Sequence, residues 1–517
     1  MENRTRRQFL SEVGKGMLTA SIGSTMAADL GLNAALAEER GGRLQFGRLE
    51  PLAAMMQENS AEKMLPLVVQ HIKRGTELRD VVAAAALANA RTFGGEDYVG
   101  FHAFMALAPA YEMSKELDAD RRALPVLKVL YRSTNQIASK GGVSAEVLHP
   151  MDPAEASAEG SRETLHDAML KQDLGQAESM FAGIMARSAQ EAFNDLQVMI
   201  QDDTDVHRTV LAYRAWDLLG LTGREHAHTT LRQSVHYCID VEKRRIAAHY
   251  PESGIRTALP KIVDKYRLAD RSPGTRHGDD GWLKDFCKTL VTSAPAQAAE
   301  AVASALSEGY SLDSIGEALS LGATWLVLHD PGRKQAYPGK PVGSVHGDSV
   351  GVHASDSMNA WRNMAKASSR YNALTGLVVA GYHLAFAQRA DIDKAQPYSV
   401  LEHASGVDAS DPASMLRLLE AAVRENDQAR AAVIAAAYGK SGHAPRPLFD
   451  TLLRFAVSED GALHAEKYYH TVTEEFHRTR PAYRWDHAVA LARVTASEFG
   501  KRADGYEQAC DLLRVRA

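Results

Sequence analysis

Apolar residues recur at three- and four-residue spacing through long stretches of this chain, clearest in Leu78 to Ala90, Ala294 to Leu306 and Ala421 to Tyr438. Alanine, the strongest helix former, fills most of the small positions, and β-branched alternation is sparse, so each stretch predicts a helix. Convincing period-two runs with hairpin turns are missing, which leaves an all-α fold as the expectation. Breaks rich in proline and glycine fall at Ser272-Pro273-Gly274 and over Asp330 to Gly351. The second break reads as a long loop, and loops beyond about 15 residues inside compact domains are usually functional or disordered.

A theme recurs among the predicted helices. Tyr98-Val99-Gly100-Phe101-His102-Ala103 lays over Ser349-Val350-Gly351-Val352-His353-Ala354, with an aromatic residue following at Tyr111 and Trp361 and a tyrosine further on at Tyr131 and Tyr382. Asp205-Val206-His207 repeats the theme with Trp216 and His236 beyond it, and Gly461-Ala462-Leu463-His464-Ala465 is a fourth, weaker copy. An apolar, alanine-bearing helix precedes each copy. The expectation is a helical repeat or multi-helix array of about four related units, able to close around a central pocket. Two helical halves are expected, residues 38–270 with His102 and His207, and residues 271–517 with His353 and His464.

Composition narrows the chemistry. The 517 residues are 45% hydrophobic and 24% charged, an ordinary globular balance, and a net charge of −6 offers no whole-chain excess of positive charge for nucleic-acid phosphates. Cys238, Cys287 and Cys510 have no C-x-x-C spacing, so neither a disulfide framework nor a thiolate zinc site is written here. Phosphate-binding glycine loops, the G-x-S-x-G elbow and H-E-x-x-H are all missing. What stands out is 20 histidines. If the related units share a centre, His102, His207, His353 and His464 occupy equivalent places, and neutral imidazoles suit a transition metal such as iron, copper, zinc or manganese. These four are the expected metal ligands. His329 and His346, on or beside the long loop, are the catalytic candidates on the substrate side.

For any single histidine, capping or packing at a helix start is the plain alternative, and it is recurrence that argues for function. Asp348 and Asp356 flank His353, and Asp202, Asp203 and Asp205 precede His207, so both rings have carboxylates at hand to orient them. Glu-x-x-His spacing, one helical turn, occurs at Glu146/His149, Glu163/His166, Glu225/His228 and Glu474/His477, the pairing a di-iron bundle uses. Glu225-His226-Ala227-His228 with His236, and the face of His470, Glu474 and His477, are two further local clusters.

Two resemblances add expectations. Thr5-Arg6-Arg7-Gln8-Phe9-Leu10, followed by a weakly apolar stretch to Leu36 that ends in Ala35-Leu36-Ala37, resembles a twin-arginine export signal. It implies removal of residues 1–37, the twin-arginine machinery as a partner, no stable membrane span after cleavage, and a periplasmic or secreted protein that crosses already folded. Glu459-Asp460-Gly461-Ala462-Leu463-His464-Ala465-Glu466-Lys467 looks like the late Asp-Gly-His-Ala-x-Lys region of questin-oxidase-like proteins, which are helical, ring-cleaving monooxygenases of polycyclic quinones. That likeness covers about ten residues, with an insertion, and carries over only His464. The dense early histidine cluster of that family is missing from this chain.

The expected function is therefore an exported, histidine-lined, metal-dependent enzyme, an oxidoreductase acting on a small molecule. The competing classes are a non-catalytic helical-repeat protein that binds a periplasmic partner or ligand, and a metal-storage or delivery protein with exposed clusters at 226–228 and 464–477. Convergence separates them: an enzyme needs the repeated histidines facing one pocket, whereas a scaffold scatters them.

Overall fold

Small side chains let the central helices bury themselves on every face. In the computed structural model, which describes residues 42–151, 161–336, 342–345, 349–387 and 411–517, helix Leu78–Phe93 is buried at every position from Val81 onward. Helix Leu312–Leu328 is buried without a break from Ser314 to Thr324. A helix apolar all round belongs in an interior, and alanine and glycine let its neighbours approach. Among the described residues the architecture is an all-α multi-helix array, and extended pairing is limited to isolated bridges at Arg276/Tyr310 and Glu459/Arg502. No helix among the described residues is long and apolar enough to cross a membrane.

The chain forms two compact units that interleave along the sequence. Among the described residues, one takes those up to Ala108 with those of Leu130–Ile200 and Arg214–Glu252; the other takes Pro109–Val129, Gln201–Tyr213 and those of Ser253–Ala517. In the first, helices Glu50–Glu58, Leu78–Phe93, Ser161–Leu170, Leu174–Arg187, Ala189–Ile200 and Ala227–Ala247 pack on one another. Its deepest charge is Arg91, fully buried, which bonds the Leu44 carbonyl, pairs with Glu50 at 2.9 Å, and lies over the Phe46 ring.

In the second unit, helix Val350–Ala367 is the hub. It packs on Leu312–Leu328, on Arg370–Ala387 and on His464–Arg478. Its start is written locally: Ser349 accepts the Val352 N–H, as an N-cap serine does. Its position is set by Gly351, where a β-carbon would meet the backbone nitrogen of Val327 at 2.6 Å. Only glycine permits that approach, and it seats the first turn of the hub helix two residues before His353.

Gly351→Ala is therefore expected to destabilise the protein by about 1–3 kcal/mol, the usual cost of overpacking, in denaturant unfolding. Gly220→Ala, where nothing lies within 4 Å of the added carbon, should be close to neutral. Equal stability of Gly351→Ala and the parent would contradict the close helix approach.

Candidate functional site

Three of the recurring histidines lie in the second unit, each at the start of a helix. His207 is the second residue of Val206–Asp217, His353 the fourth of Val350–Ala367 and His464 the first of His464–Arg478. Their rings come together. The centroids of His207 and His353 are 5.6 Å apart, those of His353 and His464 are 5.3 Å apart, and the two Nε2 atoms of the latter pair are separated by 3.3 Å. At that separation one ring can donate its Nε2–H to the other as a long hydrogen bond. The same separation fits two nitrogens sharing one metal, because two metal–nitrogen bonds of about 2.0–2.1 Å at the tetrahedral angle put the nitrogens about 3.3 Å and the ring centres about 5.2 Å apart.

A buried polar ladder fixes the register of the two helices that carry the pair. Below the histidine pair, Asp356 accepts from Thr471 at 3.0 Å, Asn359 donates to Glu474 at 2.7 Å and to Glu475 at 2.8 Å, and Arg362 closes an ion pair with Glu475. Asn363 and Arg478 add the last rung at 2.6 Å. The partners advance together along both helices, so Val350–Ala367 and His464–Arg478 run parallel, one face against the other. Glu475 is 1% exposed, which makes its two donors obligatory.

The approach to His464 is strained. Gly461, Ala462 and Leu463 all have left-handed backbone, with φ of 49°, 48° and 68°. For the two that are not glycine this costs about 1–2 kcal/mol each, and strain of this kind collects at functional sites. The surroundings enforce it. Glu459 accepts the Gly500 N–H at 3.0 Å, Asp460 pairs with Lys501 at 2.7 Å, and the buried Lys128 ammonium donates to the Ala456 carbonyl at 2.8 Å and pairs with Glu466 at 2.6 Å. His207 is oriented by Asp205, whose carboxylate accepts the His207 N–H at 2.9 Å and stands 3.4 Å from Nδ1.

Burial, then the charges of His207 and Lys467, push His353 down to about 3, so its ring is neutral at physiological pH, the form that binds metals. A fourth imidazole belongs to the neighbourhood. His383 is wholly buried on helix Arg370–Ala387, and burial lowers it to about 4 against the opposing pull of Asp205 and Asp203. A small cavity of about 30 Å³ reaches His464, lined mainly by Phe455, Ala456, Ala465, Tyr468 and Leu491. That volume holds one or two small molecules of water size. Among the described residues, no three His, Cys, Asp or Glu side chains already close around a single point as a complete metal shell. The arrangement is a pair at coordinating separation with further imidazoles beside it.

The other expected site residues have different surroundings. His102 belongs to the first unit; its Nδ1 bonds the Tyr98 carbonyl at 2.7 Å and its ring lies against Tyr98 and Phe101. His329 closes helix Leu312–Leu328, stacked on Trp325 with Nδ1 2.9 Å from the Trp325 carbonyl. His346 and Asp348 lie outside the described residues. Of the Glu-x-x-His carboxylates, Glu146 is taken by Arg43 and Arg91, and Glu474 by Asn359, Asn363 and Arg478. His470, Glu474 and His477 line one open cleft with Glu112 and Glu116.

Sequence reasoning missed His383, although a signal existed. Helices Val350–Ala367 and Arg370–Ala387 are joined by Ser368-Ser369 alone, and a hairpin that short folds residue 383 back beside 353. With this geometry in hand, comparison with known proteins adds no relative: no family, no curated protein and no solved structure matches the chain.

The cluster at His226, His228 and His236 dissolves into separate buried contacts in the first unit. His226 meets Phe46 edge-on, His228 stacks on Phe181, and His236 sits between Glu96 and Glu178. Burial alone would lower His236, but its bonds to Glu178 and Glu96 outweigh that and raise it above 6.5. Burial likewise opposes ionisation of Glu178, yet His236 and Arg232 hold it down to about 2. The raised histidine stabilises the fold fully below its ordinary 6.5 and loses that contribution as pH rises through the folded value; the depressed glutamate contributes fully above 4.5. The stability gap between the parent and His236→Gln should therefore be widest at about pH 5.5 and shrink by about pH 9 in urea unfolding. A gap that grows with pH would contradict a protonated His236.

Proposed function

We propose that this protein is a metal-dependent enzyme whose centre is built on the imidazoles of His353 and His464, with His207 drawn in as the third donor when the ion binds. The observation that carries the reading is the Nε2 separation of 3.3 Å between the buried ring of His464 and the half-buried ring of His353, held by different helices. Neutral imidazoles favour iron, copper or zinc, with manganese a poorer match, and Asp205 behind His207 supplies the carboxylate that metal-binding histidines usually have. Convergence of three repeated histidines within one unit is what an enzyme needs and a scaffold does not.

The reaction class that fits best is oxidoreduction of a small molecule. The cavity beside His464 takes a molecule the size of dioxygen or water, and the ion would activate one or polarise the other. Lys467, buried one turn beyond His464, opposes extra positive charge and would offset negative charge that develops on a ligand there. His464 is also the one residue that the questin-oxidase-like segment carries over. We further propose export through the twin-arginine route, to the periplasm or beyond, on the strength of Arg6-Arg7 and the Ala35-Leu36-Ala37 site. Storage or delivery of metal is favoured less, since His226, His228 and His464 are buried where that role needs exposed clusters.

Elemental analysis of the untagged protein should find about one equivalent of a transition metal, falling below about a tenth in His353→Ala and His464→Ala. His487→Ala, at a buried ring held by the hydroxyls of Thr324 and Thr479 at 2.7 and 3.0 Å, should keep full occupancy. Metal-free protein that unfolds cooperatively would reject the reading in favour of a helical scaffold.

A further inference from the structure

The hairpin of helices Val350–Ala367 and Arg370–Ala387 has a definite register. A β-carbon on Gly376 would meet the Trp361 ring at 3.0 Å, which sets Gly376, seven residues after Ser369, opposite Trp361, seven residues before Ser368. Extending that register, His353 at fifteen residues before Ser368 faces Leu384 at fifteen after Ser369, with His383 next to it. Helical spacing then chooses between the two. His383 lies seven residues, two turns, beyond Gly376 and so on the same face, turned toward the hub helix. Leu384 points instead at Gly322 of helix Leu312–Leu328. The same face of Arg370–Ala387 meets the segment that leads to His207, since Gln201 reaches the Asn372 carbonyl at 3.5 Å and lies 3.8 Å from a Gly376 β-carbon.

The ring of His383 is buried, and its Nδ1 has no hydrogen-bond partner among the described residues. Two other buried imidazoles show fully occupied rings for comparison: His487 is held by two threonines and His236 by two carboxylates. A buried nitrogen without a partner calls for a ligand, and a missing ion is one of the recognised explanations. Electrostatics agrees with the placement, because His383 contributes to lowering His353 and feels Asp205, the residue that orients His207.

We propose that His383 is a further nitrogen donor of the centre formed by His353, His464 and His207. This rests on the metal-centre reading above. His383 then completes a four-imidazole set within one unit, with its lone pair supplied from the helix that packs behind His353. No covalent step is involved; an ordered neutral ring exchanges an unused lone pair for a bond to a divalent ion.

The test uses the full-length protein loaded with Cu(II), with affinity measured by competition against a chelator and coordinated imidazoles counted by pulsed electron paramagnetic resonance. His383→Phe, which keeps an aromatic ring in the space, should bind Cu(II) about a hundredfold more weakly and show one imidazole fewer. Added methylimidazole should restore part of the signal in His383→Ala. If His383→Phe does not give the parent circular dichroism, His383→Gln, polar and close in size, is expected to show the same loss. Unchanged affinity together with an unchanged imidazole count in a folded His383 variant overturns the proposal while leaving His353 and His464 as ligands. If the parent itself binds no Cu(II) and His353→Ala is indistinguishable from it, the underlying reading fails instead.

Discussion

Glu475 is the charge on which the site depends. It lies 1% exposed between two parallel helices and is held by Asn359 and by Arg362. Removing one partner from such a pair leaves an uncompensated buried charge, typically a loss of about 3–5 kcal/mol, so the two helices are fixed in one register. A slip of a single turn would move one histidine about 5.4 Å along its helix, more than the whole span over which two imidazoles can share an ion. The ladder below the histidines therefore fixes the helix register from which the two rings reach each other, 3.3 Å apart at Nε2. The left-handed backbone at Ala462 and Leu463 is the cost of starting the second helix at His464, and the ion pairs around Glu459, Asp460 and Glu466 offset it.

The same residue type serves opposite ends in the two units. His236, between two carboxylates, has its protonated form favoured by them against the cost of burial. His353 and His383 have weak compensating charge and stay neutral, which leaves nitrogen lone pairs available. Between His236 and His383 partner charge rather than burial makes this difference, since both rings are interior. Carboxylates leave neutral rings available when they stand behind them, as Asp205 stands behind His207, and not between them.

Much of this was legible in the sequence, for identifiable reasons. Alanine-rich three- and four-residue periodicity predicted the helices at Leu78–Phe93 and Pro295–Ser307 because nothing in those segments competes with it. The repeated Val-Gly-x-His pattern located His353 at a helix start, and recurrence at His207 and His464 found their helix starts as well. Spacing alone could not see the partners. The polar ladder pairs residues more than a hundred positions apart, and its members, Asn359 and Glu475 among them, look like ordinary solvated helix positions until the two faces meet. His383 was hidden for a different reason: the pattern drew attention to Tyr382 beside it, while the short Ser368-Ser369 turn that brings residue 383 back to 353 carried no histidine signal of its own. The carboxylates of Glu146 and Glu474, attractive as metal ligands by spacing, are neutralised by arginine and amide partners that no local motif announces.

The central claim is that imidazole nitrogens from separate helices of one unit hold a single ion. X-ray absorption at the edge of whatever metal the purified protein carries tests it most directly. The account predicts a first shell of nitrogen at about 2.0–2.1 Å with the outer-shell scattering of at least three imidazole rings, lost when His353 and His464 are both replaced by alanine. An oxygen-dominated shell without imidazole scattering, or a spectrum unchanged by that double replacement, would contradict it.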